Sequence, residues 1–482
     1  MTSAATTGAL WRTQSFERLR TEPFDLLVIG GGITGAGIAR DAALRGLRTA
    51  LLERDDFASG TSSRSSRLVH GGVRYLEHGY LHLVFEASRE RRTLLCIAPH
   101  LVRPVRFTWP FYRGARLAPW KVVAGLWLYD LLALFRNVGQ HKTLSATRVL
   151  QTEPALQRTN LAGGATYWDA ATDDARLTVA NVLDASTHGA VVLNHADVTD
   201  LVIENGRAVG ARGVDRMSGT PFDVRARGIV NATGPWTDTV RAMEGNATKT
   251  GVRGTKGVHI AVPAERVGNQ EAITVISSVD QRVMFVLPGA THTIIGTTDT
   301  PTHDSPEQVR ANQADVNYLL DSANAYFPAA RLTPGDVVAA WAGIRPLIAT
   351  DTSAPTAQAS REHAIATGPA GVIQITGGKL TTYRAMAAQV TDAVQRALGE
   401  PRSACRTADL PLPPVGEEFA CTVADILVRR TSTAFDTRDH GRNEAPSVAR
   451  RLGDLFNWDA ARCGQAVVDY ATEVDRLFTI DP

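Results

Sequence analysis

The segment Phe24 to Glu53, FDLLVIGGGITGAGIARDAALRGLRTALLE, constrains this 482-residue chain more than any other. An apolar run enters a glycine turn, a helical pattern follows, and a second apolar run ends on an acid. That is strand, turn, helix and strand within about 30 residues. In Gly30-Gly31-Gly32-Ile33-Thr34-Gly35, Gly30 serves the tight turn, Gly32 lets backbone approach a pyrophosphate, and Gly35 lets helix pack on strand. The helix N-terminus then attracts phosphate charge. Glu53 ends the second strand, about 20 residues on, where an acid accepts hydrogen bonds from an adenosine ribose. The unit predicts a parallel sheet and a dinucleotide cofactor, nicotinamide or flavin, without choosing between them.

The unit occurs once, so a second nicotinamide site of the same kind is not expected, and electrons must leave by another route. The next stretch, GTSSRSSRLVHGGVRYLE, favours a flavin. Thr61, Ser62 and Ser63 are small and hydroxylated, and Gly71 and Gly72 permit close backbone approach to a large planar ring. Between residues 190 and 235 β-branched runs alternate with Gly and Asn turns, as in strands joined by hairpins. VMFVL and TIIGTTD flank Pro288-Gly289-Ala290 and predict an antiparallel sheet in a second domain. The late strand-to-helix element GVIQITGGKLTTYRAMAAQVTDAVQRAL returns to the cofactor domain. The fold class expected is therefore α/β: a discontinuous Rossmann-like cofactor-binding domain, an antiparallel-sheet substrate domain and a short helical C-terminal domain. The boundaries expected are a tail over 1–23, a cofactor domain over 24–100, 165–250 and 335–400, and a substrate domain over 101–164 and 251–334. A proline-rich linker, residues 407–418, introduces the helical region within 401–482.

Composition closes off other classes. With 51 Lys and Arg against 49 Asp and Glu, the net charge of +2 gives no footprint for nucleic acid. Cys96, Cys405, Cys421 and Cys463 lie far apart without ligand-like spacing, so the reading is reduced, buried thiols, with no metal and no disulfide. Residues 1–23 carry Arg12, Arg18 and Arg20 and lack the apolar core of a signal peptide, which points to the cytoplasm. The strongest apolar stretch, APWKVVAGLWLYDLLALF, is cut by Lys121 and Asp130, whereas a spanning helix needs about 20 apolar residues.

From residue 24 to about 400 the chain resembles the FAD-dependent glycerol-3-phosphate dehydrogenases. The blocks that carry the resemblance stand in order: GGGITGAGIARDAALRG, TSSRSSRLVHGGVRYLE, DDARL (Asp173 to Leu177), NATGPW (Asn231 to Trp236), KGVHI (Lys256 to Ile260), IIGTTD (Ile294 to Asp299) and GGKLTTYR (Gly377 to Arg384). The resemblance implies FAD as cofactor and sn-glycerol 3-phosphate as substrate. Ala232 and Gly234 leave room for the cofactor at a strand end, with Val198 beside them. The amides of Gly377, Gly378, Lys379 and Leu380 meet the flavin pyrimidine. Oxidising a phosphorylated alcohol needs a base for its hydroxyl and cations for its phosphate. By resemblance Arg74, His259 and Arg345 fall at substrate positions, His259 and Arg345 as catalytic residues, with Arg361 and Lys379 as further candidates. Arginine suits phosphate because its planar fork donates two bonds and stays charged.

The resemblance also implies a membrane quinone as electron acceptor, and hence a peripheral contact with the inner face of the cytoplasmic membrane. Val122 to Phe135 and Leu10 to Arg20 are the candidate contact stretches, with a buried helix the favoured reading of the former. An oxidase that hands electrons to oxygen, or a flavin-binding protein of reduced activity, would share the half-site. Family members usually carry a longer helical C-terminal domain than the one after residue 400, which leaves a homodimer open.

Overall fold

The computed structural model describes residues 7–245, 252–302, 304–348 and 363–482. Helix α1 (Gly8–Thr21) leads into β1 (Phe24–Ile29), which is buried at every position, as a strand covered on both faces must be. The turn at Gly30 opens α2 (Ile33–Leu44), and β2 (Thr49–Leu52) returns parallel to β1. The chain then crosses to a second sheet through β3 (Leu68–Val69), α3 (Leu81–Ile97), β4 (Val102–Tyr112), α4 (Pro119–Leu132), β5 (Lys142–Ser145), α5 (Ala146–Thr152) and β6 (Leu161–Thr172). Helix α6 (Asp174–Thr187) brings it back to β7 (Val191–Leu193). An antiparallel excursion follows over β8 (Ala196–Glu204), β9 (Arg207–Asp215) and β10 (Pro221–Asn231), before α7 (Thr237–Met243). The second sheet is completed by β11 (Val252–Pro263), α8 (Ala264–Val267), β12 (Ala272–Ile276), β13 (Val283–Leu287), β14 (His292–Gly296), β15 (Thr300–Pro301), α9 (Gln313–Tyr326) and β16 (Ala339–Ile348). Finally β17 (His363–Thr367), β18 (Ile373–Gly377) and α10 (Tyr383–Leu398) close the first sheet.

The first sheet runs β17-β18-β10-β1-β2-β7, so the earliest strand sits in the middle, between β2, the next strand made, and β10, made far later. Helices α2, α6 and α10 pack together, and α2 approaches closely because it is rich in small residues. A Cβ on Gly37 would stand 2.8 Å from the Tyr383 ring of α10. The second sheet runs β15-β11-β14-β13-β12-β4-β6-β3, with β16 beside β11 and β5 beside β6. Its pairs are antiparallel except β12 with β4. The α/β class with two sheets and a short helical C-terminal domain stands.

Three features differ from the sequence reading. Residues 8–21 are not a tail: α1 buries Trp11 and Leu19, and Arg12 donates to the carbonyl of Asn194 at 2.8 Å and pairs with Asp215. Strand β6 runs through the expected boundary at 165 because β4 pairs with it from Val102↔Thr172 to Tyr112↔Leu161. Strand β16 belongs to the second sheet, since it pairs with β11 from Val252↔Ile348 to Ala261↔Ala339. As for the thiols, all four are free, but only Cys421 is buried and Cys96 is exposed.

The C-terminal region starts with a π-helical turn, Asp425–Arg430, and continues with α11 (Thr433–Asp436), α12 (Ala445–Phe456) and α13 (Ala460–Phe478). It is clamped onto both sheets. Phe435 meets Trp341 of β16 edge to face at 5.2 Å, and Arg429 and Arg430 both bind the buried carboxylate of Asp56, at 2.5 and 2.7 Å, just past β2.

Candidate active site

The carboxyl ends of four strands meet at one edge of the first sheet: β1 delivers Gly30, β2 Glu53, β10 Ala232 and β18 Gly377. Ligands of open α/β sheets bind at such an edge. The glycines of the turn do different work. Gly30 has φ +106° and a Cβ there would lie 2.7 Å from the Ala232 carbonyl oxygen. At Gly35 a Cβ would fall 1.9 Å from the carbonyl oxygen of Gly30, so that glycine seats the helix on its own turn. At Gly32 the nearest atom is Ser62 Oγ at 3.1 Å, and the position otherwise faces open space. Ser62 Oγ accepts from the Ile33 amide at 3.0 Å, which ties the loop after β2 to the first residue of α2.

That edge borders a cavity of about 1240 Å³. Gly30, Gly32, Glu53, Thr61, Ser62, Val198, Ala232, Gly234, Gly377, Gly378, Lys379 and Leu380, all expected from the sequence, line it. Glu53 accepts from the amides of Gly31 (2.6 Å) and Asp55 (2.9 Å), and burial, reinforced by the charge of Asp55, pushes its carboxyl up to about 7. The sequence reading passed over Gly31, whose amide orients that carboxylate. It also passed over Arg54 and Trp236, which close one flank: the Arg54 guanidinium lies 5.0 Å from the Trp236 ring, and both bind Glu307. Trp236 stood within the NATGPW block, but nothing in the sequence marks Glu307, which arrives from a loop of the second domain.

A second cavity of about 1130 Å³ shares Ile33, Thr61, Ser62, Pro346, Gly378, Lys379 and Leu380 with the first, so the two are continuous. The second sheet supplies its far wall. His259, central in β11, pairs with Gly296 on one side and Trp341 on the other, and its ring stacks on Trp341 at 5.6 Å. Only glycine fits opposite it, since a Cβ on Gly296 would stand 2.1 Å from the imidazole. His259 Nε2 shares a hydrogen bond with Ser66 Oγ at 2.8 Å, and Nδ1 has no hydrogen-bond partner among the described residues. Burial, then the charges of Arg345 and Arg67, push the imidazole down to about 3, so it is neutral.

Arg345, on β16, lies over Gly257, where a Cβ would come 2.5 Å from its Nη2. It donates to Thr297 Oγ1 at 2.9 Å and to the Thr298 carbonyl and Asp299 Oδ1 at 3.2 Å, so the IIGTTD segment fixes its fork. Lys379 places its Nζ 3.6 Å from the centre of the Tyr75 ring, and both side chains line this cavity. Tyr75, Ser66 and His70 are further wall residues that the sequence reading did not single out. Arg361 and the side chain of Arg74 lie outside the described residues.

Four expected cofactor contacts line neither cavity: Gly35, Ser63, Gly71 and Gly72. Gly35 packs against its own turn. Ser63 turns toward the C-terminal region, beside Trp341 and Phe435. A Cβ on Gly71 would meet Tyr129 Oη at 2.3 Å, and Gly72, at φ +78°, backs onto the Tyr75 ring. On the side where a Cβ would stand, those two glycines face protein.

The family of FAD dependent oxidoreductases matches residues 25–384, and the C-terminal domain of alpha-glycerophosphate oxidase matches residues 414–463. Mitochondrial glycerol-3-phosphate dehydrogenase of Mesocricetus auratus is 40% identical over 535 residues, covering 94% of this chain and 73% of that protein. The chain belongs to the FAD-dependent glycerol-3-phosphate dehydrogenase family. Glycerol-3-phosphate dehydrogenase 2 of Mycobacterium tuberculosis is 43% identical over 391 residues, 81% of this chain, and the chain spans 66% of that relative's length. Among solved structures, the glycerol-3-phosphate dehydrogenase from Bacillus halodurans complexed with FAD superposes with a TM-score of 0.81 at 30% identity, with 98% of each chain covered. Glycine oxidase from Geobacillus kaustophilus, at 21% identity and a TM-score of 0.60, shares the fold, covering 82% of this chain and 100% of its own.

The cofactor of this family member is FAD, and the groove fits it on its own terms. Gly32 leaves the α2 N-terminus open toward the cavity, Glu53 offers an acceptor, and the continuous second cavity gives a planar ring system a place beside His259 and Lys379.

Proposed function

We propose that the chain oxidises sn-glycerol 3-phosphate to dihydroxyacetone phosphate and passes the electrons to a membrane quinone. The observation that carries the substrate reading is the pairing, on one cavity wall, of a buried neutral imidazole with an arginine fork held in place by Asp299. Bound FAD supplies the hydride acceptor. In this reading Gly32, Ser62 and the α2 N-terminus hold the pyrophosphate, Glu53 the adenosine ribose, and the amides of Gly378 to Leu380 the flavin pyrimidine. Arg345 and Lys379 bind the substrate phosphate, with Arg74 and Arg361 as further cations. His259 Nε2 takes the C2 hydroxyl proton at the position that Ser66 Oγ marks. An imidazole pushed down to about 3 begins as an acceptor. The arriving phosphate dianion offsets the repulsion from Arg345 and Arg67, so His259 becomes more basic when substrate is present.

Support for the acceptor comes from α4 and its neighbours. One side of α4 is buried through Val122, Leu126, Tyr129 and Asp130; the other exposes Trp120 at 69% and Trp127 at 57%, together with Leu131. Leu134 and Phe135 just past α4 are exposed too, as are Leu81 and Phe85 on α3, which packs against α4, and Lys121 and Arg136 are exposed near the two ends of α4. An exposed apolar patch with flanking cations supplies the two weak signals that a peripheral protein needs. The other stretch, Leu10 to Arg20, offers no such face, because α1 turns Trp11 and Leu19 inward. Among the described residues no helix is long and apolar enough to cross a membrane.

Anaerobic addition of glycerol 3-phosphate should bleach the flavin, and a soluble quinone analogue should reoxidise it faster than air-saturated buffer does. Fast reaction with oxygen and none with quinone moves the assignment to an oxidase. No bleaching at all leaves a flavin-binding protein.

A further inference from the structure

Behind the substrate cavity lies a buried ionic cluster that the mechanism above does not use. Asp169, on β6, is 3% exposed. Its Oδ1 accepts from the Tyr129 hydroxyl at 2.7 Å, from Arg91, and from the backbone amide of Gly71 at 2.9 Å. Arg91, also buried, bonds the Tyr129 oxygen at 2.6 Å, the Trp168 carbonyl at 3.2 Å and Asn137. The cluster sits within an apolar layer that includes Leu126, Phe107 and Tyr167. Ion pairs in such surroundings gain little stability over well-packed apolar side chains. What this one adds is a hold on Gly71.

Gly71 opens the turn that enters the substrate cavity. A Cβ there would collide with Tyr129 Oη and stand 2.7 Å from Ser88 Oγ, so the amide can be drawn right against the cluster. Gly72 then reverses the chain in the left-handed region, and the short helix Val73–His78 follows. Tyr75, from that helix, packs its ring against the Lys379 ammonium, 3.6 Å away, and both line the cavity. On the other side of Gly71, the His70 amide donates to Thr381 Oγ1 at 3.1 Å, bolting the turn to the Lys379 to Thr381 segment. The turn therefore has two anchors, and Asp169 is the one outside the cavity.

We propose that Asp169 is a positioning residue of the reaction: by fixing the Gly71 amide it sets where the His70 to Tyr75 turn meets the substrate phosphate. This rests on the substrate reading above, and the test separates the two. Wild-type protein is titrated anaerobically with glycerol 3-phosphate in a stopped-flow spectrometer, giving a substrate Kd and a limiting rate of flavin reduction. Asp169→Asn should raise Kd about 10- to 100-fold, as a displaced contact does, and Tyr129→Phe about 3- to 10-fold. The limiting rate should change less than Kd in both, with FAD content and flavin spectrum as in wild type. A purely structural role would instead lower FAD content and thermal stability while leaving Kd unchanged in the flavin-loaded fraction, and that result overturns the proposal. A second measurement needs no substrate: amide hydrogen exchange over residues 70–80 should quicken in both variants. Exchange as slow as in wild type overturns the proposal even if glycerol 3-phosphate proves not to be the substrate.

Discussion

The two halves of the proposed active site are built from different materials. The dinucleotide groove is made of backbone: strand ends, a glycine turn, the amides of Gly31 and Ile33 and the open start of α2. The substrate wall is made of side chains from segments far apart, with His259 on β11, Arg345 on β16 and Lys379 after β18. A groove made of backbone tolerates changes in most side chains but not in its glycines. A wall made of side chains should fail one residue at a time, and each failure should leave the cofactor in place.

The sharpest way to break that contrast is at Arg345. Arg345→Met should lower kcat/KM by roughly 2 to 5 kcal/mol, because the substrate phosphate loses its fork and Asp299 loses its partner; at about 1.36 kcal/mol per decade this is some 30-fold to several thousand-fold. FAD content should not change, and loss of the flavin would show that the wall and the groove are one unit. His259→Asn should slow flavin reduction about 100-fold or more while substrate affinity changes little. With the imidazole at about 3 in the free protein, the pH profile of kcat/KM, which reports the free protein, should carry no acid limb from His259 between pH 5 and 8. A limb near 6.5 that vanishes in His259→Asn would contradict that assignment.

Within the groove, Gly32 and Gly35 separate cofactor from fold. Gly32→Val should abolish FAD binding, with the apoprotein melting within a few degrees of wild-type apoprotein. Gly35→Ala should lower the yield of folded protein itself, since its Cβ has no space against Gly30. Equal melting temperatures for the two apoproteins would show that the distinction is wrong. The smallest effect is expected at Glu53, where Glu53→Gln should weaken FAD binding by about 1.4 kcal/mol, or tenfold in Kd. Wild-type affinity should fall as pH drops through about 7, where the carboxyl protonates and loses its charge, and the variant should be flat there. The apoprotein has the opposite dependence. Its folded Glu53 holds a proton between the ordinary 4.5 and about 7 that the unfolded chain has released, so stability falls as pH rises across that window.

This division also explains what the sequence made legible. Gly30, Gly32, Glu53 and Ala232 were readable because backbone recognition demands fixed residue types at fixed spacing around one strand-turn-helix unit. His259 and Arg345 were reached through resemblance, since no spacing rule joins residues on strands that pair only after folding. At Gly71 and Gly72 a glycine announces only that something comes close, and on the Cβ side it is Tyr129 and Tyr75. Strand β16 was placed with the wrong sheet because an apolar run does not state its partner, and α1 was read as a tail because its mixed composition hides the few inward residues that hold it. Glu307 and Asp169 carried no sequence signal at all; each is recognisable only by what it touches.

The order of strands in the first sheet has a further consequence, in time. Strand β1 lies between β2 and β10, and β10 in turn waits for β18, whose first residue is Ile373. On a ribosome adding about 5 to 20 residues per second, the nascent chain carries an incomplete parallel sheet for roughly 20 to 70 seconds before its last central partner emerges. Until β10 emerges the outer edge of β1 is open, and from then on the outer edge of β10 stays open until β18 arrives. Making this enzyme in a foreign host is therefore expected to depend on translation rate and chaperone supply more than on the stability of the finished protein.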